Sequence, residues 1–309
     1  MEILPITRFT SRQLAEVQQE EIARWKSLFD WDFSSSAGLI SSALDHGLFG
    51  GKALIVSGKP VGYCFLICDS GRAIFGSFFL IPGAAERKHA VALLRASVSD
   101  VLVDPSILRV EVQLPAADQE ILTEVLGEYG FRSFPRIFMS RELPGDPRWE
   151  IPPDHEIQTW GPSQLGPSSE LLEMAYRDKV DRHIHVQYAS VSGCQQFLSD
   201  LLRHPGCGIF DPRISLATIH RPTGRLSAFL IGSRVSPRMA HLPQVAVHPD
   251  FNGRGIGRSL MAEFMHRSES AGYQSISLNV TETNEHALRL YRGIGLRDSY
   301  RFNAFQIQR

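Results

Sequence analysis

The sequence predicts an α/β (α+β) protein built from two similar domains, each a mixed, mostly antiparallel sheet flanked by helices. The length of 309 residues suits two domains of ordinary size. A proline-rich segment stands near the midpoint, and the same order of strands and helices is found on either side of it. A divergent duplication explains this repetition, and we expect the first copy to be degenerate.

The midpoint segment runs from Leu143 to Asp154 and holds four prolines within ten positions. Proline fixes φ and cannot donate to a strand ladder, so the segment predicts an extended linker. The expected organisation is a first domain over residues 1–145, a linker over 146–154 and a second domain over 155–309.

The second half contains ten predicted elements. A Pro222-Thr223-Gly224 turn marks a hairpin, and apolar residues at helical spacing mark the helix that begins near Arg258. In chain order the elements are strand Glu156–Trp160, helix Glu170–Lys179, helix Cys194–Arg203, strands Ile214–Ile219, Leu226–Ser233 and Met239–Val247, helix Arg258–Ser270, strand Ser275–Val280, helix Glu285–Arg292 and strand Tyr300–Ile307.

The first half repeats the later part of this order. A Ser57-Gly58-Lys59-Pro60 turn joins its first two predicted strands. Its elements are strands Ala53–Val56, Gly62–Ile67 and Ile74–Ile81, helix Arg87–Val101, strand Leu108–Gln113 and helix Ala117–Leu126.

Composition argues against several functional classes. Lys and Arg total 32 against 33 Asp and Glu, so we expect no nucleic-acid or membrane partner. Four cysteines are too few for a disulfide scaffold, and His183 and His185 lack a third ligand at diagnostic spacing, so no metal is expected. Residues 1–25 resemble no targeting segment and no stretch is apolar enough for a bilayer, which predicts a cytoplasmic protein.

The strongest motif is a glycine-rich loop between the strand ending at Val247 and the following helix. Glycines 253, 255 and 257 let the backbone approach a ligand, and the helix start adds unpaired amides and partial positive charge. Such a loop binds a phosphate or pyrophosphate, and Arg254 and Arg258 can add charge-assisted contacts. The spacing fits neither a P-loop nor a dinucleotide fingerprint, because Asn252 and Arg258 stand where those motifs need glycine.

Two signatures in residues 245–297 resemble the GNAT superfamily of N-acetyltransferases. Asn252, Gly255 and Gly257 match its Gln/Arg-x-x-Gly-x-Gly/Ala loop, with Asn as a departure at the first position. The second signature is Asn284-x-x-Ala287-x-x-Leu290-Tyr291, followed by Gly295-Leu296 where the family usually has Gly-Phe.

The resemblance implies an acetyl-CoA site in the second half. The amides of residues 254–259 would hold the pyrophosphate, Asn284 would contact the cofactor, and the thioester would lie between the strands ending near Val247 and Val280. The acceptor site would be built around residues 176–185. The residues expected to bind acetyl-CoA are Val245, Ala246, Val247, Asn252, Gly253, Arg254, Gly255, Ile256, Gly257, Arg258, Ser259, Asn279 and Asn284.

Proton transfer is assigned to two side chains. Tyr291 stands where the family places its general acid. The family's usual glutamate base has no counterpart, because residues 212–249 contain no Asp or Glu. His241 lies at a position where a family base is frequent, and its ordinary pKa of about 6.5 suits this role. A water chain oriented by Gln244 is the alternative to His241.

The first half lacks the cofactor signatures. When Pro82 is aligned with Pro249, Lys88 and Ala90 stand where the second half has Gly255 and Gly257. A tandem arrangement with one weakened half is similar in layout to the mycothiol synthases, although layout does not identify a substrate.

The predicted function is acetyl transfer from acetyl-CoA to the amine of a small molecule, by a monomer or homodimer. Two alternatives remain open at this point. One is a non-catalytic acyl-CoA-binding sensor or scaffold, and the other is an acetyltransferase acting on a peptide or protein amine.

Overall fold

The computed structural model describes residues 1–69, 71–144 and 149–309. By their internal contacts, the residues form two compact units. The first unit comprises Met1–Pro135 and Phe302–Arg309, and the second comprises Arg136–Arg301. Among the described residues, no helix is both long enough and apolar enough to cross a membrane.

The first half of the chain contains six strands and four helices in the part described. These elements are β1 (Glu2–Pro5), α1 (Ala15–Phe29), α2 (Ser34–Asp45), β2 (Gly50–Val56), β3 (Lys59–Asp69), β4 (Arg72–Leu80), α3 (Arg87–Val103), β5 (Arg109–Gln113), α4 (Gln119–Glu128) and β6 (Arg132–Glu142).

The second half adds seven strands and five helices over residues 149–309. These are β7 (His155–Thr159), α5 (Leu165–Tyr176), α6 (Asp181–Ile184), α7 (Val191–Arg203), β8 (Ile209–Phe210), β9 (Leu216–His220), β10 (Arg225–Arg234), β11 (Met239–Val247), α8 (Ile256–Ser270), β12 (Ser275–Thr281), α9 (Glu285–Gly293) and β13 (Arg297–Gln308).

Each unit has a sheet with one parallel strand pair. In the first unit the strand order is β1-β2-β3-β4-β5-β13, and only β4 and β5 run parallel. In the second the order is β6-β12-β11-β10-β9-β7, with β8 on β10, and only β11 and β12 run parallel. The predicted class, two mixed and mostly antiparallel sheets flanked by helices, is confirmed.

Apolar layers cover both faces of each sheet. In the first unit one layer packs α3 and α4 on the sheet, and the other involves α1 and α2. In the second unit α8 and α9 cover one face, and α5 and α7 cover the other. Burial on both faces explains why the central strands carry long apolar runs in place of strict alternation.

Strands β6 and β13 each contribute residues to both units. Residues 136–142 of β6 pair with β12 in the second unit, from Arg136↔Thr281 to Glu142↔Ser275. Residues 304–308 of β13 pair with β5 in the first unit, beginning at Ala304↔Gln113. The first unit therefore takes its last strand from the end of the described chain.

The contacts divide the chain at other positions than the predicted domain boundaries. The second unit begins at Arg136, before the predicted boundary at 145, because the later part of β6 pairs with β12. Residues 146–148 of the predicted linker lie outside the described residues. The division into 1–145 and 155–309 as the two copies of a duplication stays a prediction.

The parallel strand pair is alike in both units. Four parallel pairs join β4 to β5, from Arg72↔Arg109 to Phe75↔Val112. Four also join β11 to β12, from Met239↔Ser275 to Leu242↔Leu278. In the first unit the following helix α3 begins after Glu86, whose carboxylate lies 2.9 Å from the Lys88 ammonium. The first unit therefore keeps the parallel strand geometry, and it has an ion pair at the start of the following helix.

The pairing of β13 with β5 in the first unit leads to a prediction about stability. Phe305 of β13 is only 3% exposed and belongs to the core of the first unit. We expect Phe305→Ala to lower the free energy of unfolding by about 3–5 kcal/mol, because it leaves a cavity in that core. The neighbouring change Gln306→Ala is the control, since successive side chains of a strand point to opposite faces. Urea unfolding followed by circular dichroism measures both, and equal losses would contradict this placement of β13.

Candidate active site

The central feature of the second unit is the place where β11 and β12 separate. Both strands lie wholly within the described residues, and their mutual pairing ends at Leu242↔Leu278 although β11 continues to Val247 and β12 to Thr281. The next residue of β11 is Pro243, which has no amide hydrogen with which to continue a ladder. A cleft therefore opens between the two strands, because beyond this point their backbone groups do not pair with each other.

One edge of β11 faces this cleft. The strand stays paired with β10 on its other side, through Leu230↔Val245 and Phe229↔Ala246. The Val245 carbonyl accepts hydrogen bonds from Tyr176 Oη at 3.4 Å and from Gln244 Nε2 at 3.2 Å. Both backbone groups of a strand residue point to the same side, so the Val245 amide shares this direction. The predicted cofactor contact at Val245 is thus a backbone one, whereas the Ala246 side chain is buried in the apolar layer with α5 and α7.

The glycine loop follows β11 and ends in α8. Gly253 and Gly255 have φ values of +77° and +84°, a region that only glycine enters readily. Gly257 differs, because it lies inside α8 and a Cβ there would meet Val247 and Leu290 at 3.5 and 3.7 Å, ordinary contact distances. Neither the backbone nor the packing requires glycine at 257, and its predicted role in letting a ligand approach stays a prediction.

The amides of the loop are not equally available. Those of Arg258 and Ser259 donate to the Gly255 carbonyl at 3.0 Å, and that of Asn252 donates to Pro249. The first amides of a helix have no acceptor within the helix. The amides of Ile256 and Gly257, at the start of α8, are therefore the ones that could bind an anion. The Ser259 hydroxyl donates to the Glu150 carbonyl at 3.0 Å.

Two guanidinium groups flank the loop, each on an aromatic ring. Arg258 lies 4.2 Å from the centre of the Trp149 ring, and Arg254 lies 5.4 Å from that of Phe251. Stacking leaves the N–H donors in the guanidinium plane, where they can bind a phosphate. The loop therefore carries two positioned positive charges.

The two predicted asparagines have different surroundings. Asn284 caps α9, because its Oδ1 accepts from the Ala287 amide at 3.3 Å. Asn279 lies on β12 just after the pairing with β11 ends, and its buried Oδ1 has no hydrogen-bond partner among the described residues. That oxygen is a candidate acceptor for an amide group of a ligand in the cleft.

A network of tyrosine side chains lies at the cleft. Tyr188 Oη donates to Gln244 Oε1 at 2.8 Å, and Gln244 Nε2 donates to Tyr176 Oη at 3.3 Å. The two tyrosine rings are 4.7 Å apart. Gln244 was predicted only as an orienter of water, whereas here it joins Tyr188 to Tyr176, and Tyr176 begins the segment expected to hold the acceptor.

The predicted acid Tyr291 is buried within the same unit. Burial raises the pKa of Tyr291 well above its usual range, and the charges of Tyr176 and Asp181 raise it further. The hydroxyl is therefore protonated at neutral pH, as a proton donor must be.

His241 does not have the ordinary pKa on which its prediction depends. It is 2% exposed, sits opposite Ser277 in the paired part of β11, and its Nδ1 lies 2.9 Å from Ser277 Oγ. Burial lowers the pKa of His241 to about 3, with a further contribution from the positive charge of Arg136. The imidazole is therefore neutral near pH 7 and a weak base.

Sequence reasoning missed Asp181 and Thr281. Thr281 Oγ1 donates to Asp181 Oδ1 at 2.6 Å, and the carboxylate is 7% exposed. The family resemblance implied an acceptor site around residues 176–185, which include Asp181, but Thr281 lies 100 positions away and no local pattern predicts this partner. No group of three or more His, Cys, Asp or Glu side chains within residues 1–69, 71–144 and 149–309 is arranged to hold a metal.

Comparison with known sequences agrees with this geometry. Residues 183–296 match the Acetyltransferase (GNAT) family. The chain is 35% identical over 75 residues to the ribosomal protein bS18-alanine N-acetyltransferase of Salmonella typhimurium, covering 24% of this chain and 50% of that protein. It is 29% identical over 106 residues to the mycothiol acetyltransferase of Thermobifida fusca, covering 32% and 33% respectively. An uncharacterised Mycobacterium leprae protein is 36% identical over 78 residues, covering 23% of this chain and 21% of that protein. The chain thus spans between 21% and 50% of the length of these three relatives.

Solved structures match the whole chain in fold. A GCN5-related N-acetyltransferase from Sphaerobacter thermophilus superposes with a TM-score of 0.67 at 16% identity, covering 99% of this chain and 95% of that one. A tandem GNAT protein from the clavulanic acid biosynthesis pathway has a TM-score of 0.61 at 13% identity, covering 99% and 98%. Both halves of the chain are GNAT-like in fold, and residues 183–296 match the model of the Acetyltransferase (GNAT) family.

Proposed function

We propose that the second half of the chain transfers an acetyl group from acetyl-CoA to the primary amine of a small molecule. The observation that carries this proposal is the strand separation leading directly into the glycine loop, in which Gly257 is required by neither conformation nor packing. A cleft and an anion site would adjoin there, as an extended ligand with a phosphate-bearing end requires.

The residues at the cleft fit acetyl-CoA. The amides at the start of α8, with Arg254 and Arg258, would hold the pyrophosphate. The edge of β11 at Val245 and the buried Asn279 Oδ1 would bind amide groups of the pantetheine arm. When bound, acetyl-CoA supplies an activated acyl group whose sulfur leaves.

Tyr291 is proposed as the general acid for the leaving sulfur. Its side chain is buried in the apolar core that α8 and α9 form with the sheet, and burial keeps its proton at neutral pH. His241 is a poor candidate for the base, because a group with a pKa of about 3 takes up few protons near neutrality. The surroundings of His241 therefore favour another proton acceptor, either water or a carboxylate.

A peptide or protein amine is the second candidate acceptor. The relative of Salmonella typhimurium is named for acetylating the alanine of a ribosomal protein, and it is 35% identical over 75 residues. Steady-state assays with small amines and with peptides of free amino terminus distinguish the two acceptors. The sensor alternative would show acetyl-CoA binding without amine-dependent release of CoA.

The anion site is tested by Gly257→Glu. We expect loss of measurable acetyl-CoA binding in calorimetry, because a carboxylate at the helix start displaces and repels the pyrophosphate. Gly127→Glu, at an exposed glycine of α4 in the first unit, makes the same change in charge and should keep wild-type affinity. Normal affinity in Gly257→Glu would place the cofactor elsewhere.

The acid is tested by Tyr291→Phe. This change should lower kcat by about 10²–10⁴ and leave the KM for acetyl-CoA nearly unchanged, since the ring stays and only the hydroxyl is lost. Tyr273→Phe is the matched control, because that buried hydroxyl donates to Asp211 at 2.7 Å outside the cleft. If the two variants turn over equally fast, Tyr291 has only a packing role.

The protonation state of His241 is tested by the pH dependence of the free energy of unfolding. Its pKa lies near 3 in the folded chain and near 6.5 in the unfolded chain, so the unfolded state binds more protons between these values. The free energy of unfolding should therefore fall as the pH drops from about 6.5 toward 3, and His241→Asn should weaken that dependence. Urea unfolding at a series of pH values measures it. An ionisation near 6.5 in kcat/KM that His241→Asn removes would restore the histidine as base.

A further inference from the structure

An exposed tryptophan lies beside the glycine loop. Trp149 is 43% exposed, whereas Trp31 and Trp160 are buried and Trp25 is partly buried. The guanidinium of Arg258 lies over one face of the Trp149 ring, with its Cζ 4.2 Å from the ring centre. No second aromatic ring of the described residues stacks on this indole. An aromatic surface next to the start of α8 is therefore open to a ligand.

The chain holds Trp149 against the first turn of α8. The carbonyl of the next residue, Glu150, accepts a hydrogen bond from Ser259 Oγ at 3.0 Å. Arg258 and Ser259 both belong to that first turn, so one backbone contact and one side-chain contact attach the segment to the helix. A ring held in this way loses less conformational freedom when it binds a ligand than a free side chain does.

The charges around the ring favour phosphate groups. Arg254 and Arg258 are each stacked on an aromatic ring, and neither forms an ion pair with a carboxylate of the described residues. Their N–H donors are therefore available to an anion. A flat base can stack on the open face of Trp149 while phosphates bind the guanidinium groups, so this surface fits a nucleotide.

The chemistry of the proposed donor calls for such a surface here. In acetyl-CoA, the pantetheine arm and a nucleoside with a 3′-phosphate are attached to opposite ends of one pyrophosphate. The edge of β11 would bind the arm, and the amides of Ile256 and Gly257 would bind the pyrophosphate. The nucleoside then extends from the pyrophosphate away from the arm. Trp149 is the aromatic residue attached to the same helix turn, outside the cleft.

We propose that Trp149 stacks on the adenine base of acetyl-CoA, and that Arg258 on its other face binds the phosphates of the nucleotide. This inference rests on the proposed acetyl transfer and specifies its donor. The donor is a free CoA thioester recognised by its nucleotide, and not an acetyl group on a phosphopantetheine arm that lacks one. Residues 149 and 150 of the predicted linker are thereby part of the cofactor site.

The first test compares Trp149→Ala with the wild type on two thioesters. One is acetyl-CoA, and the other is S-acetyl-4′-phosphopantetheine, which keeps the arm and one phosphate but lacks the nucleoside. In calorimetry, the affinity for acetyl-CoA should fall by about tenfold or more, the usual effect of losing a stacked base. The affinity for the truncated thioester should stay nearly unchanged. Equal losses for both thioesters would reduce Trp149 to a positioning residue for Arg258, and equal losses or no loss would overturn the proposal.

The second test uses fluorescence and needs only acetyl-CoA. Saturating acetyl-CoA should quench the wild-type emission excited at the red edge of tryptophan absorption, because a stacked base quenches an indole. Trp149→Phe keeps an aromatic face, so it should bind acetyl-CoA with an affinity close to that of the wild type and lose most of the quenching. Equal quenching in the two proteins, or none in a wild type that binds acetyl-CoA, would also overturn the proposal.

A matched control and the unmodified protein separate other failures. Leu48→Ala removes a 70% exposed apolar side chain of the first unit and should change neither the two affinities nor the quenching. A wild type that binds acetyl-CoA but fails both tests contradicts the role of Trp149 alone. A wild type that binds no acetyl-CoA would instead disprove the proposed function.

Discussion

The separation of β11 from β12 after Leu242 and Leu278 is the constraint on which the candidate site depends. A parallel ladder that continued to the strand ends would pair the backbone of residues 243–247 internally and leave no cleft. Pro243 lies at the first position beyond the pairing. The interruption converts part of a structural sheet into a row of donors and acceptors at one edge of β11, next to the start of α8.

Buried polar side chains near the cleft need hydrogen-bond partners, and only some of them have partners within the described residues. The hydroxyls of Tyr176 and Tyr188 are joined through Gln244 to the β11 backbone. Asn279 Oδ1 and Asp181 Oδ2, by contrast, are buried without partners among the described residues. Asn279 lies on β12 where this strand borders the cleft, so a bound molecule there can complete its hydrogen bonding.

The sequence predicted the parts of this chain that depend on local patterns. Strands β9–β12 and helices α8 and α9 have apolar periodicity and glycine or proline boundaries, and they were predicted within a few residues. Helices α1 and α2 were missed because α1 is rich in polar side chains and α2 in serine, so neither shows a clear apolar stripe. The glycine loop was found because its chemistry is local. The bond from Thr281 to Asp181 and the neutral state of His241 depend on tertiary burial, which one sequence does not display.

The completion of the first unit by residues 304–308 of β13 has a consequence for biosynthesis. The ladder between β5 and β13 needs residues 304–308, which leave the ribosome only after the whole of the second unit has been made. Domains usually fold in the order in which they are synthesised. In this chain the first unit is the first to be synthesised and the last to be completed, because one edge of β5 stays unpaired while the second unit is made. Until then the unpaired edge of β5 is exposed in the nascent chain, where it can pair with another extended segment.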